Sequence, residues 1–119
     1  MRILIADDSR VMRRIVVRTL RQAGYDWDVI EASDGAEALE VALREDPDLV
    51  LSDWNMPEMT GIEMLRNLRA NGSDCPVAFV TSEGSREMRE LADEEGALFL
   101  IAKPFTPEAF RAALEPVLE

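Results

Sequence analysis

The chain has 119 residues, 47% of them hydrophobic, a formal net charge of −11 and no histidine. That length and apolar share suit one domain, 1–119, burying roughly two-thirds of its unfolded surface, and no apolar run approaches a membrane span. The absent imidazoles exclude Ser-His-Asp and Cys-His catalysis and every His-ligated metal site, and the acidity argues against binding DNA or RNA through phosphate neutralisation.

Strands and helices are predicted to alternate five times. The run Ile3-Leu4-Ile5-Ala6 forms a first strand over 2–6 and ends at Asp7-Asp8. A first helix follows Ser9 as N-cap, with an apolar stripe of Met12, Val16, Leu20 and Ala23 and with Gly24 at the C-cap. The second strand, about 27–32, carries Asp28 and Glu31, so it is placed at a sheet edge. Asp34-Gly35 turns into a second helix whose inward residues are Ala38, Leu39, Ala42 and Leu43, and Asp46-Pro47 ends it. Leu49-Val50-Leu51-Ser52 is the third strand and ends at Asp53, before the loop Trp54-Asn55-Met56-Pro57. The third helix starts near Gly61, buries Ile62, Leu65 and Leu68, and closes at Asn71-Gly72. A fourth strand over 77–80 ends at Thr81-Ser82. The fourth helix, about 85–95, is the most polar, with Met88, Leu91 and Ala92 on its apolar side and Gly96 at its end. The fifth strand, 98–102, ends at Lys103-Pro104. Thr106-Pro107 then caps and begins a last helix that runs to the end of the chain.

Short continuous apolar runs suit strands buried on both faces, and their alternation with helices implies right-handed βαβ units around a parallel sheet. In such a sheet the carboxyl ends share one edge, where open α/β folds bind their ligands. Asp7, Asp8, Asp53, Thr81 and Lys103 therefore converge. Two carboxylates ~4 Å apart repel by ~4 kcal/mol at an effective dielectric near 20. Three of them raise one another's pKa values or gather a cation. With no imidazole available, that cation is hard and oxygen-bound: Mg²⁺, with Mn²⁺ as the alternative. The main-chain carbonyl of Asn55, two residues past Asp53, is placed to join it.

Phosphoryl transfer needs positioning and charge neutralisation more than covalent help from protein. A carboxylate serves as the nucleophile and becomes an acyl phosphate. Asp53 stands alone after its strand and suits the acceptor role, while the paired Asp7-Asp8 suits metal holding. Lys103 is the only lysine beside twelve arginines, a compact point charge at a strand end. Each feature taken alone is an ordinary turn or cap residue; together, at the ends of four strands, they read as one site.

These residues resemble the receiver domains of two-component response regulators over nearly the whole chain. The matched pieces are Asp7-Asp8, the loop Asp53-Trp54-Asn55-Met56-Pro57 with Gly61, Thr81-Ser82, and Lys103-Pro104-Phe105, and the acceptor loop looks most like single-domain chemotaxis regulators of the CheY kind. The resemblance implies a (βα)5 doubly wound, flavodoxin-like sheet of order 2-1-3-4-5. It also implies phosphorylation of Asp53 by a partner histidine kinase or phosphotransfer protein. Mg²⁺ would be held by Asp8, Asp53 and the Asn55 carbonyl, with Asp7 acting partly through water. Thr81 and Lys103 would contact the phosphoryl group, Lys103-Pro104 would be a cis peptide, and Asn55 and Glu83 would tune dephosphorylation. The family's aromatic residue three before the lysine is here Leu100, and Phe99 should point to the other face.

Two protein-binding surfaces follow from this reading. The stripe Arg10, Arg14, Arg18 and Arg21 on the first helix is either a solvated face or, at its N-terminal end, a kinase dock. The downstream partner is expected on the face of the fourth helix, fifth strand and fifth helix, with Arg86, Glu87, Glu90 and Phe110 considered there and Phe110 favoured as core. Trp54 is expected to be partly exposed beside the acceptor. A strand from residue 2 leaves no length for a leader, and the single Cys75 offers no disulfide, so a cytoplasmic monomer is expected, with dimerisation on activation as an alternative. The competing readings are a receiver feeding a longer DNA-binding or enzymatic regulator, an aspartyl-phosphate hydrolase of the haloacid dehalogenase type, and a degenerate scaffold. The hydrolase family carries a second Asp two residues past its nucleophile, and the residue two beyond Asp7 is Ser9.

Overall fold

The computed structural model describes residues 1–118. In chain order it contains β1 (Arg2–Ala6), α1 (Arg10–Gln22), β2 (Asp28–Ala32), α2 (Gly35–Glu45), β3 (Leu49–Ser52), α3 (Gly61–Ala70), β4 (Val77–Thr81), α4 (Arg86–Glu94), β5 (Leu100–Ala102) and α5 (Pro107–Leu118). The five strands are parallel in the order β2-β1-β3-β4-β5. β2, the least apolar strand, is an edge.

The pleat sorts side chains to two cores. Ile3, Ile5, Leu49, Leu51, Ala78, Val80 and Ile101 face α1 and α5, where Val16, Leu20, Phe110 and Leu114 meet them. Leu4, Ala6, Val50, Val77 and Phe79 face α2, α3 and α4. Every residue of β3 and β4 is buried. Both faces of the central strands are covered, which is why those strands read as unbroken apolar runs.

Each helix start is capped by a side chain, at Ser9 and Thr106 as predicted and at Asp34, Thr60 and Ser85 besides. Ser9 accepts from the Met12 amide, Asp34 from Glu37, Thr60 from Glu63 in a full capping box, Ser85 from Met88 and Thr106 from Ala109. Each cap satisfies an amide that the first helical turn leaves open. α1 ends one residue earlier than predicted, at cap Ala23, and Gly24 follows at φ +100, a conformation glycine adopts freely.

Four local expectations are corrected. β2 begins at Asp28. β4 extends through Thr81. β5 is confined to Leu100–Ala102, with Leu98 exposed, although the Leu98 amide still bonds the Val77 carbonyl. In α2 the buried stripe is Gly35, Ala38, Val41 and Ala42, and Leu43 is exposed. Leu43 lies five residues past Ala38, about 140° around a helix of 3.6 residues per turn, so the two cannot share a face. Among the described residues no helix is long and apolar enough to cross a membrane.

Candidate functional site

At the carboxyl edge of the sheet β1 delivers Asp7, β3 delivers Asp53, β4 ends on Thr81, and the chain leaving β5 delivers Lys103. Backbone bonds lock these tips together. The Asp7 amide donates to the Ala32 carbonyl, the Asp53 amide to Ala6 at 2.8 Å, and the Lys103 amide to Thr81 at 2.7 Å. Carboxylate oxygens of Asp7, Asp8 and Asp53 all lie within 4.8 Å of one another. The Lys103 ammonium stands 3.2 Å from Asp7 Oδ2 and 3.7 Å from Asp53 Oδ2. The Lys103-Pro104 peptide is cis.

The three acids are held differently. Asp7 is buried, with Oδ1 accepting from the Ser9 amide at 2.9 Å and Oδ2 facing Lys103. Both its oxygens are engaged. Asp8 is exposed at the mouth of the pocket. Asp53 is half-buried, and its Oδ1 accepts from the Trp54 amide at 2.8 Å. Burial pushes the Asp53 carboxyl above the usual carboxylate range and outweighs the pull of Lys103, with Asp7 adding to the rise. Carboxylates short of positive charge, on a hard oxygen donor set, fit a divalent cation.

The loop after Asp53 closes because of Gly61. A Cβ there would run into the Asp53 carbonyl and come within 2.8 Å of the Phe79 ring. The Gly61 amide donates to the Trp54 carbonyl at 2.7 Å. α3 therefore starts directly against the loop that follows Asp53. This corrects the expectation for Trp54, which is 8% exposed and packs on Phe79 with ring centroids 5.0 Å apart. Asn55, next in the loop, is exposed, as is Glu83 beyond β4. Thr81 is fully buried and its Oγ1 accepts from the Glu83 amide at 3.3 Å. Accepting that bond leaves the hydroxyl proton free to donate.

Leu100 packs with the core of α3 and α4, and Phe99 with that of α5, as the pleat requires. Phe110 is wholly buried. Arg10, Arg14, Arg18 and Arg21 are all exposed on α1. Sequence reasoning missed Arg13 in the same run. Its Nη1 donates to the Asp7 carbonyl at 2.7 Å and its Nε pairs with Glu31 at 2.9 Å. It ties α1, the acidic turn and β2 together. The available signal was its offset of one residue from the exposed stripe, which turns it about 100° toward the sheet.

A profile of the response regulator receiver domain family matches residues 3–115. A chemotaxis protein CheY homologue of Campylobacter jejuni is 42% identical over 121 residues, covering 99% of this chain and 92% of that protein. Chemotaxis protein CheY-3 of Vibrio cholerae is 41% identical, covering 100% and 92%. Among solved structures, chemotaxis regulator CheY4 of Vibrio cholerae aligns with a TM-score of 0.83 at 36% identity over 98% of this chain and 97% of that one. The receiver domain of Francisella response regulator 1452 aligns with a TM-score of 0.85 at 26% identity over 98% and 94%.

Proposed function

Because this chain belongs to the response regulator receiver domain family, we propose that residues 1–119 act as one receiver domain that takes a phosphoryl group on Asp53. The protein is a phosphorylation-activated signalling switch closely related to the CheY chemotaxis regulators, a signalling domain rather than an ordinary enzyme. The observation carrying the site assignment is the convergence of Asp7, Asp8 and Asp53 within 4.8 Å beside a single lysine ammonium. The chain has no histidine of its own, so the phosphohistidine donor that the family implies sits on a partner kinase or phosphotransfer protein.

In the transfer an Asp53 carboxylate oxygen attacks phosphorus, the donor's N–P bond breaks, and the imidazole departs. The Trp54 amide fixes the rotation of the Asp53 carboxylate, which favours an in-line approach. Asp8, Asp53 and the Asn55 carbonyl would hold Mg²⁺, with Asp7 reaching it through water. When bound, the ion neutralises the charge that gathers on the phosphoryl oxygens. Lys103 carries three donors and gives one to Asp7, leaving others for the phosphoryl group. Thr81 offers its free hydroxyl proton. Asn55 and Glu83 flank the mouth and set how readily water attacks the acyl phosphate.

The output is a shift in shape. A hydrogen bond to a charged group contributes about 1.5–3 kcal/mol, whereas driving a population from 1:99 to 99:1 takes ~5.5 kcal/mol. Thr81 alone therefore shifts the free domain partially, and partner binding on the α4-β5-α5 face completes the change. α1 carries five arginines and no acid in a strongly acidic chain, which suits its N-terminal end to an acidic kinase dock near Asp53. The compartment this reading implies is the cytoplasm, with the domain a monomer.

Labelling with acetyl phosphate tests the assignment. One phosphoryl group per chain is expected, dependent on Mg²⁺ and abolished in Asp53→Asn. Labelling that persists in that variant moves the acceptor elsewhere.

A further inference from the structure

Arg89, exposed on α4, makes two bonds that leave its helix. Its Nε donates to the Gly84 carbonyl at 3.3 Å and its Nη1 to the Leu100 carbonyl at 3.0 Å. The second acceptor is explained by the sheet. The Phe99 carbonyl faces β4 and receives the Phe79 amide. Alternation along the strand then turns the Leu100 carbonyl away from β4, toward the open edge where, among the described residues, no strand pairs with β5. The guanidinium covers that edge.

Gly84 is wedged in the same place. A Cβ on it would lie 2.9 Å from the Ala102 side chain and 3.2 Å from Arg89 Nη2. Gly84 comes three residues after Thr81, and the Glu83 amide between them is bound to the Thr81 hydroxyl. Leu100 comes three residues before Lys103. One planar fork thus joins α4 to the two segments whose ends carry Thr81 and Lys103. Its rigid donor geometry suits two acceptors at once, which a lysine ammonium on a flexible stem does not reproduce.

We infer that Arg89 is a positioning residue that couples occupancy of the phosphoacceptor pocket to the placement of α4, an inference resting on the reading of Asp53 as acceptor. When Thr81 and Lys103 are drawn to a phosphoryl group, the segments carrying Gly84 and Leu100 move with them. The fork passes that displacement to α4. Without it the pocket still closes on its ligand, and α4 no longer follows.

Amide NMR with beryllofluoride and Mg²⁺ as the phosphoryl mimic tests this. In the unaltered protein the mimic should shift amides both at 81–83 and along 90–94. In Arg89→Ala the shifts at 81–83 should persist while those along 90–94 fall to about half or less. Arg89→Lys, which keeps the charge and loses the fork, should behave like the alanine variant. Full shifts along 90–94 in the alanine variant overturn the inference. So does a normal lysine variant beside a defective alanine one, because charge rather than the fork would then carry the effect. A variant with only a lower melting temperature and an unaltered shift pattern assigns Arg89 a merely structural role and also overturns it. Absence of any response in the unaltered protein defeats the phosphoacceptor reading itself, a result distinct from the others.

Discussion

The two edges of the sheet are both acidic, and they differ in kind. At the amino edge a cleft of about 700 Å³ is lined by residues that include Asp46, Asp48, Asp74 and Cys75. At the carboxyl edge the space is smaller, yet Asp7, Asp8 and Asp53 are the acids whose oxygens converge among the described residues. Asp48 is occupied by the Arg2 amide, and Asp46 is the αL cap of α2. The direction of the chain adds a second difference. A βα unit places helix N-termini at the carboxyl edge, where unsatisfied amides and the dipole favour an anion, and helix C-termini at the other. Backbone polarity therefore favours a phosphoryl group at the carboxyl edge over the amino edge. Concavity is a poor guide here; convergent charge beside one ammonium is the better one.

The largest contrast should appear in the chemistry of Cys75, the nucleophile nearest the big cleft. Burial, helped by Asp46 and Asp48, pushes its thiol from the ordinary 9.0 up to about 11. Its side chain is buried, with Sγ 3.2 Å from the Pro47 carbonyl. The thiolate is the reactive form, so at pH 8 its share should lie ~100-fold below that of an ordinary thiol. Alkylation of the folded protein should be correspondingly slow and accelerate only as pH climbs toward 11. Rapid labelling at pH 8 would show that the cleft is a reactive site after all.

Next comes metal affinity, read by titrating Mg²⁺ against Trp54 fluorescence. If the proposed assignment holds, Asp8→Asn removes a charged ligand from the convergent cluster, and one charge-assisted contact of about 1.5–3 kcal/mol corresponds to roughly a 10- to 150-fold weaker affinity. Asp74→Asn, at the cleft, should leave the affinity unchanged. Equal losses would mean that overall acidity, not convergence, draws the cation.

The carboxyl edge was largely legible in the sequence because its residues terminate strands. A strand buried on both faces announces itself as an apolar run, and the polar residue that ends it has a fixed address once the sheet is parallel. That argument places Asp7, Asp53, Thr81 and Lys103 without coordinates. The strand order needed the family resemblance, since nothing local distinguishes it from other windings. Helix-borne contributors were hidden. Arg13 and Arg89 look like any solvated arginine until the rotation of α1 and the open edge of β5 are known. The burial of Trp54 was equally obscure, because it depends on Gly61 letting α3 start against Phe79, a contact between separate elements. Leu43 was misplaced by counting apolar residues instead of following the helical angle.

The smallest effect separates the carboxyl edge as a fold element from the same edge as a site. Asp53 has a pKa raised chiefly by burial. A carboxyl that binds its proton more tightly when folded than when unfolded makes stability fall as pH rises through the raised pKa, so its ionised form at neutral pH works against the metal-free fold. Asp53→Asn keeps the shape and the acceptor for the Trp54 amide while removing that charge. In EDTA at pH 7 the variant should be more stable than the parent by about 0.5–2 kcal/mol, the range common for relieving one such conflict. At pH 3, where the parent carboxyl is protonated, the difference should shrink. Adding Mg²⁺ should reverse the order, because a ligand that binds only the folded state stabilises the parent by RT ln(1 + [Mg²⁺]/Kd), and the variant lacks the carboxylate proposed to bind the ion. Denaturant melts of both proteins with and without Mg²⁺ read this directly. A parent that outlasts Asp53→Asn in EDTA would mean that the Lys103 pairing dominates and that the acidic pocket is a structural ion-pair network.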